Sequence, residues 1–378
     1  MHICLITSEY PREGIDHGGI GTFAKIFSEF LVERGHRVSV IGQRRPNESH
    51  VQTINGVTLH GLDVDGILPE FFSYFRKLNE TIRRIHETEP IDVVEGSELS
   101  FAFISKIEGI KYVIRLHGGH YFFSNELNSK KNRWKSLQEK LSFKNADAFI
   151  AVSDYVKLRT SQFHRIGNKP SRVIYHPIST ALDNYSQFRR DDNSVVFAGT
   201  ICKKKGVQEL ISAFALLPNA GAGYSLELIG RDSEHPNGGS YIKALSDSLP
   251  SSIRERVVFS GALPRGEVLA RFAAAEFCIF PSHSETLGLV APEAMSLGKV
   301  VIFTRNGPGR EVIDDGIDGF LCDPTDPSDI AEVMRKVIAM SPEEKSSMGE
   351  RARNKVMKRF GIDSVIQKNL EFYSSLIA

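Results

Sequence analysis

Residues 276–304 read EFCIFPSHSETLGLVAPEAMSLGKVVIFT, and the order of residue types here fixes a local architecture. EFCIFPS is a short aromatic and β-branched run that ends at Pro281. APEAMSL is long enough for two helical turns and tolerates Pro292 in the first of them. Gly298 supplies a helix C-terminal signal, and KVVIFT begins a second strand. Strand, loop, helix, strand is the repeating unit of a parallel sheet covered by helices. The loop lies at the carboxyl end of a strand, where open α/β sheets take their ligands.

Working outward, the same alternation fills the chain. HICLITS is a strand, followed by a glycine-rich loop and a helix from about Thr22 to Arg34; RGHRVSVIG turns at Gly35 into a second strand. VTLHGL, DVVEG, KYVIRLH and DAFIAVS continue the series. Residues 177–193, PISTALDNYSQFRRDDN, have no strand period and read as a linker. A second series follows: SVVFAGT, YSLELIG, RVVFSG, EFCIFPS, KVVIFT and GFLCDP, with helices over about 206–217 and 266–275. The fold class is α/β with two Rossmann-like domains, 1–180 and 181–360. A last helix, 361–378, carries apolar residues (Val365, Ile366, Leu370, Phe372, Tyr373, Leu376) that favour packing against another element.

At 378 residues, with 41% hydrophobic and 25% charged residues, the chain has the balance of a soluble globular protein of two domains. A net charge of +1 gives no global field for nucleic acid. Residues 1–185 hold 24 Lys and Arg against 21 Asp and Glu; residues 186–378 hold 23 against 25. Any preference for an anionic surface therefore lies in the first half. Cys4, Cys202, Cys278 and Cys322 have no metal spacing, and three sit in or beside apolar runs, which suits reduced thiols in the cytoplasm. No apolar run approaches the roughly 20 residues of a membrane span, and the N-terminus does not read as a signal peptide.

Glu285 and Glu293 stand eight positions apart around Gly288. A fully helical segment would separate them by about 12 Å, whereas paired glycosidase carboxylates stand about 5–9.5 Å apart. An acid–base pair on one bond is awkward at that spacing. Two carboxylates accepting from hydroxyl groups at the ends of an elongated ligand are easier to place. Gly288 lets backbone approach closely, and the amides of the following helix start point at an anion. A nucleotide-sugar has hydroxyls at both ends and a diphosphate between them. Ordinary helix surface remains the plain alternative for both glutamates.

The E-x7-E arrangement, continued by EAMSLGKVVI and NGPGREVIDDGIDGFL, resembles glycosyltransferase family four, the large retaining group of the GT-B fold. The resemblance runs along essentially the whole chain through GGIGTFAKIFSEFLVERGHRVSVIG, RLHGG, AVSDYV, GTICKKKGVQELISAFALL and RVVFSGALPRGEVLARFAAAEFCIFPS. It implies two domains facing a central cleft, with the last helix returning to the N-terminal domain. The N-terminal domain would bind the acceptor and the C-terminal domain the nucleotide-sugar. It further implies that Glu285 contacts hydroxyls of the transferred sugar, that Glu293 holds the ribose, and that amides around Gly288, Leu289 and Val290 meet the diphosphate.

In GTICKKKG the resemblance favours Lys205 as the phosphate lysine. The arginine that often follows the first glycine is replaced by Thr200, so that contact is either absent or supplied by Lys203 or Lys204. Three lysines on one loop can also be merely solvated. HGGIG (17–21) lacks an ordered dinucleotide fingerprint, and the strand ending in GQRR lacks an acidic ribose ligand. The resemblance puts Gly19 near the donor phosphate or the acceptor, and His117 beside the transferred sugar. Arg231 is a candidate nucleotide contact. Gly307, Gly309 and Glu311 match the family's glycine loop, where Arg310 is less usual. His120 lies three residues beyond His117, but no third metal ligand stands near, and the family needs no metal.

The expected activity is retaining transfer of a hexose-type sugar from a UDP- or GDP-linked donor to a glycan, glycolipid or small-molecule acceptor, as in surface polysaccharide or glycoconjugate synthesis. The catalytic candidates are His117, Glu285 and Lys205; no cofactor is expected. The alternatives are a catalytically weak sugar-nucleotide-binding subunit and an NAD(P)-dependent oxidoreductase built on the GGIG loop. Residues 128–144, NSKKNRWKSLQEKLSFK, set six cations against Glu139 and put Trp134, Leu137 and Leu141 on one stripe. Together with the aromatics of LPEFFSYF (68–75), this segment either packs inward or rests on the inner face of an anionic membrane.

Overall fold

The computed structural model describes residues 1–12, 18–43, 50–63, 70–164, 166–178, 193–217 and 223–378. Most of the expected 177–193 linker and part of LPEFFSYF lie outside them. The chain forms two compact units, Met1–Pro177 with Ile362–Ala378, and Ile178–Gly361.

The first unit contains β1 (His2–Ile6), α1 (Gly19–Glu33), β2 (Arg37–Gln43), β3 (Val51–Ile54), β4 (Val57–Leu62), α2 (Glu70–Thr88) and β5 (Val93–Gly96). It continues with β6 (Lys111–Leu116), α3 (His120–Glu126), α4 (Arg133–Asn145), β7 (Ala148–Ala151), α5 (Asp154–Ser161) and β8 (Ser171–Val173). Among the described residues the sheet order is β3-β4-β2-β1-β5-β6-β7-β8, parallel except for β3. Every residue of β1, β5 and β7 is buried, as expected of parallel strands covered on both faces.

Two strands were not legible in the sequence. VQTI (β3) is an edge strand whose side chains alternate between exposed and half-buried, so it lacks a core signature. It pairs with β4 across a turn in which Asn55 and Gly56 both take positive φ (50° and 79°), the geometry of a tight hairpin. SRV (β8) is the opposite edge, three residues long. The start of α1 is also corrected: the helix begins at Gly19, not near Thr22. Gly19 and Gly21 therefore lie in its first turn, where amides lack helical partners in any case and glycine costs least.

The second unit contains β9 (Ser194–Ala198), a 3₁₀ turn (Lys203–Lys205), α6 (Val207–Ala215), β10 (Ser225–Ile229), α7 (Tyr241–Asp247), β11 (Val257–Gly261) and α8 (Arg265–Ala274). It continues with β12 (Phe277–Phe280), α9 (Val290–Ser296), β13 (Val300–Thr304), α10 (Gly309–Val312), β14 (Phe320–Cys322), α11 (Pro327–Ala339) and α12 (Pro342–Phe360). Its sheet, β11-β10-β9-β12-β13-β14, is parallel throughout. Helix starts are capped where the sequence offers a cap: Asp326 accepts from Ser328 N–H, and Ser341 forms a capping box with Glu344.

The final helix, α13 (Ile362–Ile377), belongs to the first unit. Ile362, Val365, Ile366, Phe372 and Tyr373 join the core formed by β1, β2, β6 and α1. Each fully buried side chain of that size contributes about 1.5–3 kcal/mol. A polar network accompanies the apolar face. Arg115 of β6, wholly buried, donates to Glu95 Oε1 and Oε2 at 2.7 and 2.9 Å and to Asn369 Oδ1 at 2.6 Å. Tyr373 Oη donates to Glu95 as well. The Arg115 guanidinium also stands 4.5 Å from the centre of the Phe23 ring.

In both sheets one strand has neighbours reached by crossovers in opposite directions: β1 lies between β2 and β5, and β9 between β10 and β12. The chain leaves such a pair on opposite faces, which opens a crevice at the carboxyl ends. The expected site residues cluster at these two places.

Candidate functional site

In the second unit the loops after β9 and β12 are clamped backbone to backbone. Gly206 takes φ +67°, and a Cβ there would fall 2.0 Å from Pro281 O. His283 N–H donates to Lys204 O at 2.9 Å. This close approach brings Lys205 Nζ to 2.5 Å from Glu285 Oε1. Glu285 is buried. Burial alone pushes its carboxyl up, but Lys205, Lys204 and a hydrogen bond from Ser282 outweigh that and hold it below its ordinary value. Lys204 is shifted down by burial, a change that Glu285 partly offsets. The site therefore keeps an ionised carboxylate inside a cluster of ammonium groups.

The next turn explains Gly288. Its φ is +75°, and a Cβ would approach the Phe303 ring to 2.6 Å. The first turn bond of this segment runs from Ala291 N–H to Gly288 O at 3.0 Å. The amides of Gly288, Leu289 and Val290 precede it and stand at the head of α9. On α9 itself Glu293 is buried, and its Oε1 accepts from Arg265 Nε at 3.2 Å and Nη2 at 2.7 Å. Both bonds fall on one oxygen, which leaves Oε2 for another donor. Glu285 and Glu293 thus have separate cationic partners.

The remaining donor-side candidates lie nearby in the chain but are less engaged. Thr200 is half-buried in the loop after β9, whose Ile201 N–H donates to Arg231 O at 2.9 Å. The Arg231 side chain itself is exposed. Gly309 starts α10, where a Cβ would meet Thr304 O at 1.9 Å, and Arg310 beside it is exposed. Arg265 was not anticipated from the sequence; nothing in LPRGEV marks its pairing with a residue 28 positions away. The His283–Glu209 pair, 3.3 Å apart on the far side of Lys204, was missed for the same reason.

In the first unit a cavity of about 160 Å³ opens at the carboxyl ends of β1, β5 and β6. Its polar lining includes Glu9, Tyr74, Glu95, Ser97, Ser100 and His117. Gly19 is exposed at the start of α1, and the preceding Gly18 N–H donates to Glu9 Oε2 at 3.1 Å. His117 is half-buried, and burial with the nearby Arg115 charge pushes its imidazole down to about 3. It is therefore neutral at physiological pH and can donate from one nitrogen and accept at the other. Its ring centre stands 5.0 Å from that of His176, which is itself held well below its ordinary value by burial. His120 is engaged elsewhere: its Nε2 accepts from Asn132 N–H at 2.8 Å. Among the described residues no group of three His, Cys, Asp or Glu is placed to hold a metal ion.

The basic segment is resolved by α4. Its buried residues are Gln138, Glu139, Ser142 and Phe143, whereas Trp134 and Leu137 are 44% and 45% exposed. The helix therefore turns polar groups inward, and much of its apolar stripe outward. Phe72 on α2 is exposed too, and Trp134 stacks on Phe103 at 6.1 Å.

Known proteins resemble this chain along nearly its whole length. The family model described as "Glycosyl transferases group 1" matches residues 180–355, and that described as "Glycosyltransferase Family 4" matches residues 17–182. An uncharacterized glycosyltransferase of Methanocaldococcus jannaschii is 24% identical over 99% of this chain and 98% of its own. Sucrose-phosphate synthase from Thermosynechococcus elongatus has a similar structure, with TM-score 0.84, 20% identity and coverage of 99% and 98% of the two chains. HepE from Anabaena, solved in complex with UDP and glucose, matches with TM-score 0.79 and 20% identity over 99% of this chain and all of its own.

Proposed function

The chain belongs to the group 1, family four glycosyltransferases and has their GT-B fold, and on that premise we propose that it moves a hexose-type sugar from a UDP- or GDP-linked donor to a glycan, glycolipid or small-molecule acceptor with retention of configuration and without a metal. The observation that carries the donor half of this reading is the Lys205–Glu285 pair beside the amides of Gly288, Leu289 and Val290. A diphosphate seated on those amides would draw Lys205 toward itself and free Glu285 to accept from hydroxyls of the sugar. Charge that grows on the departing diphosphate then meets an ammonium and oriented amides already in place. Glu293, fixed by Arg265 through Oε1, would accept ribose hydroxyls at Oε2. HepE was solved with UDP, which supports a uridine donor among the two bases.

The acceptor half rests on the first-unit cavity, and neutral His117 in its wall would donate to a hydroxyl of the transferred sugar. The reaction would then fit a glycoconjugate or surface polysaccharide pathway of the cytoplasm. The buried thiols of Cys4 and Cys278, pushed up to about 12 by burial, suit a reducing compartment.

A thermal-shift panel of UDP, GDP and their sugars on the wild type and Glu293→Ala tests the donor reading. A ligand at a hundredfold excess over its Kd stabilises by about 2.7 kcal/mol. Stabilisation by one nucleotide series, reduced in Glu293→Ala, supports the reading and names the base. No shift with any nucleotide sugar sinks it, and a shift with NAD(P)H alone revives the oxidoreductase. Stabilisation without release of free UDP or GDP on incubation with acceptors marks the weak-turnover subunit.

A second element of the reading is contact with an anionic bilayer through α4. Lys130, Lys131, Arg133, Lys135, Lys140 and Lys144 are exposed on the same segment as Leu137 and Trp134. Each cation near such a surface is worth about 1 kcal/mol. No described helix is long and apolar enough to cross a membrane, so contact would be peripheral. Flotation with phosphatidylglycerol-containing vesicles, lost in Leu137→Glu and absent with phosphatidylcholine alone, is the expected result. Equal binding to both vesicle types, or to neither, removes this element.

A further inference from the structure

The turn that carries His117 is held from behind by two buried carboxyl groups supplied by different elements. Glu98, in the turn after β5, accepts from Gly118 N–H at 2.7 Å. Glu139, on α4, accepts from Tyr121 N–H at 3.0 Å through Oε2, while its Oε1 meets His164 Nε2 at 3.0 Å. Gly119 lies against both of them. A Cβ there would fall 2.5 Å from Glu139 Oε1 and 2.9 Å from Glu98 Cγ, so only glycine fits the turn. All three side chains, Glu98, Glu139 and His164, are buried.

Glu98 also belongs to a turn of the cavity wall. Ser97 N–H donates to Ser100 Oγ at 2.9 Å, and Ser97, Ser100 and His117 all line the same cavity. One buried side chain therefore ties the turn after β5 to the turn after β6. The nearby charges do not balance. The His164 imidazole is bonded to Glu139, not to Glu98. Burial pushes Glu98 up to about 8 and Glu139 adds to the shift, together outweighing the N–H groups of Glu98, Gly118 and His117, which favour the carboxylate. A neutral carboxylic acid still accepts from Gly118 through its carbonyl oxygen, and it avoids repulsion from Glu139.

We propose that Glu98, in its neutral form, is a positioning residue for His117: it locks the Gly118–Gly119 turn to the Ser97–Ser100 turn and loses that grip when it ionises beside Glu139. The proposal rests on the reading of His117 as a group that serves sugar transfer.

Two readouts test it together. The first is the ring resonance of His117 in the full chain labelled at histidine, assigned with His117→Gln and followed against pH. The second is UDP release from UDP-glucose over the same range. In the wild type both should change along one limb centred near pH 8, the rate falling as pH rises. Glu98→Gln, which mimics the neutral acid, should keep the neutral-pH rate and resonance but lose the limb. Glu98→Ala should move the resonance and lower the rate by roughly tenfold at every pH, the scale of a small misplacement. The proposal is overturned if the limb persists in Glu98→Gln, or if Glu98→Gln loses as much rate as Glu98→Ala at unchanged melting temperature. If the resonance behaves as expected but His117→Gln releases UDP as fast as the wild type, the positioning device stands and the role given to His117 fails.

Discussion

Lys205 and Glu285, eighty residues apart in the chain, meet through a 2.5 Å hydrogen bond where the loops after β9 and β12 are pressed together. Each is the other's counter-charge, so the two are held as a pair at the strand ends. Lys205→Met should strand a buried carboxylate. Donor turnover should fall by about 10²–10³, the scale of removing one donor to a developing negative charge. Steady-state kinetics with the donor found by thermal shift checks it; an unchanged kcat would show that Lys205 is only Glu285's partner.

Arg265 should matter through Glu293. Arg265→Ala leaves the carboxylate in place but frees its Oε1, so its orientation loosens. The expected loss is about 1.5 kcal/mol of nucleotide binding, close to tenfold in Kd, with a smaller change in kcat. Calorimetric titration with the nucleotide alone separates the two effects.

Gly288→Ala combines a disfavoured φ with a collision against Phe303. Strain of this kind costs about 1–3 kcal/mol, and it displaces the amides that open α9. We expect a lower melting temperature and a loss of nucleotide-induced stabilisation larger than the loss of stability itself. Phe303→Leu in the same chain should restore part of both by giving way to the new methyl group.

Arg115→Met should be among the most damaging changes in the first unit. It leaves Glu95 buried with only Tyr373 as a partner, and breaking a buried pair costs about 3–5 kcal/mol. Tyr373→Phe, which removes the hydroxyl's bond to Glu95 and its 3.4 Å bond from Arg115 but keeps the ring, should cost about 1.5–3 kcal/mol. Denaturant unfolding of both variants gives the comparison.

The pH dependence of stability has two limbs with opposite signs. His117 and His176 are held below their unfolded value of about 6.5, His117 at about 3. The unfolded chain binds more protons in that range, so stability falls as pH drops below about 6.5 and goes on falling toward about 3. Glu98 behaves in the opposite way. Its folded value of about 8 exceeds its unfolded one, so its contribution is complete below the ordinary carboxyl range. That contribution is lost as pH rises toward about 8, at a slope near 1.4 kcal/mol per pH unit. Chemical denaturation across this range should show the alkaline limb in the wild type and its absence in Glu98→Gln.

Much of the fold was legible because its core strands are short continuous apolar runs, and DVV, KYVIRL, SVVFA and KVVIFT have no other reading. The edges were not. VQTI has half its side chains in solvent, so residue periodicity does not register it, and only the Asn55–Gly56 turn pair marks its hairpin. Glu285 and Glu293 stood out as two carboxylates around a glycine in an apolar setting and His117 as a histidine at a strand end, whereas Lys205 was singled out of its lysine run by the family resemblance. Arg265 and Glu98 did not, since each acts across a distance in sequence that only the packed sheet closes. The outward face of α4 was undecidable for another reason: an apolar stripe reads the same whether it turns inward or outward, and only the burial of Gln138 and Ser142 shows which way this helix faces.

The placement of α13 has a consequence for biosynthesis. Residues 362–377 leave the ribosome after the entire second unit, yet Ile366, Asn369 and Tyr373 complete the core and the polar network of the first. During synthesis the sheet around β1 and β6 must wait for its last helix with Arg115 and Glu95 only partly satisfied. The second unit, whose strands are contiguous in the chain, can finish first. A ribosome stalled shortly before residue 362 would therefore carry a mature C-terminal half and an unfinished N-terminal one, a state open to chaperones and proteases.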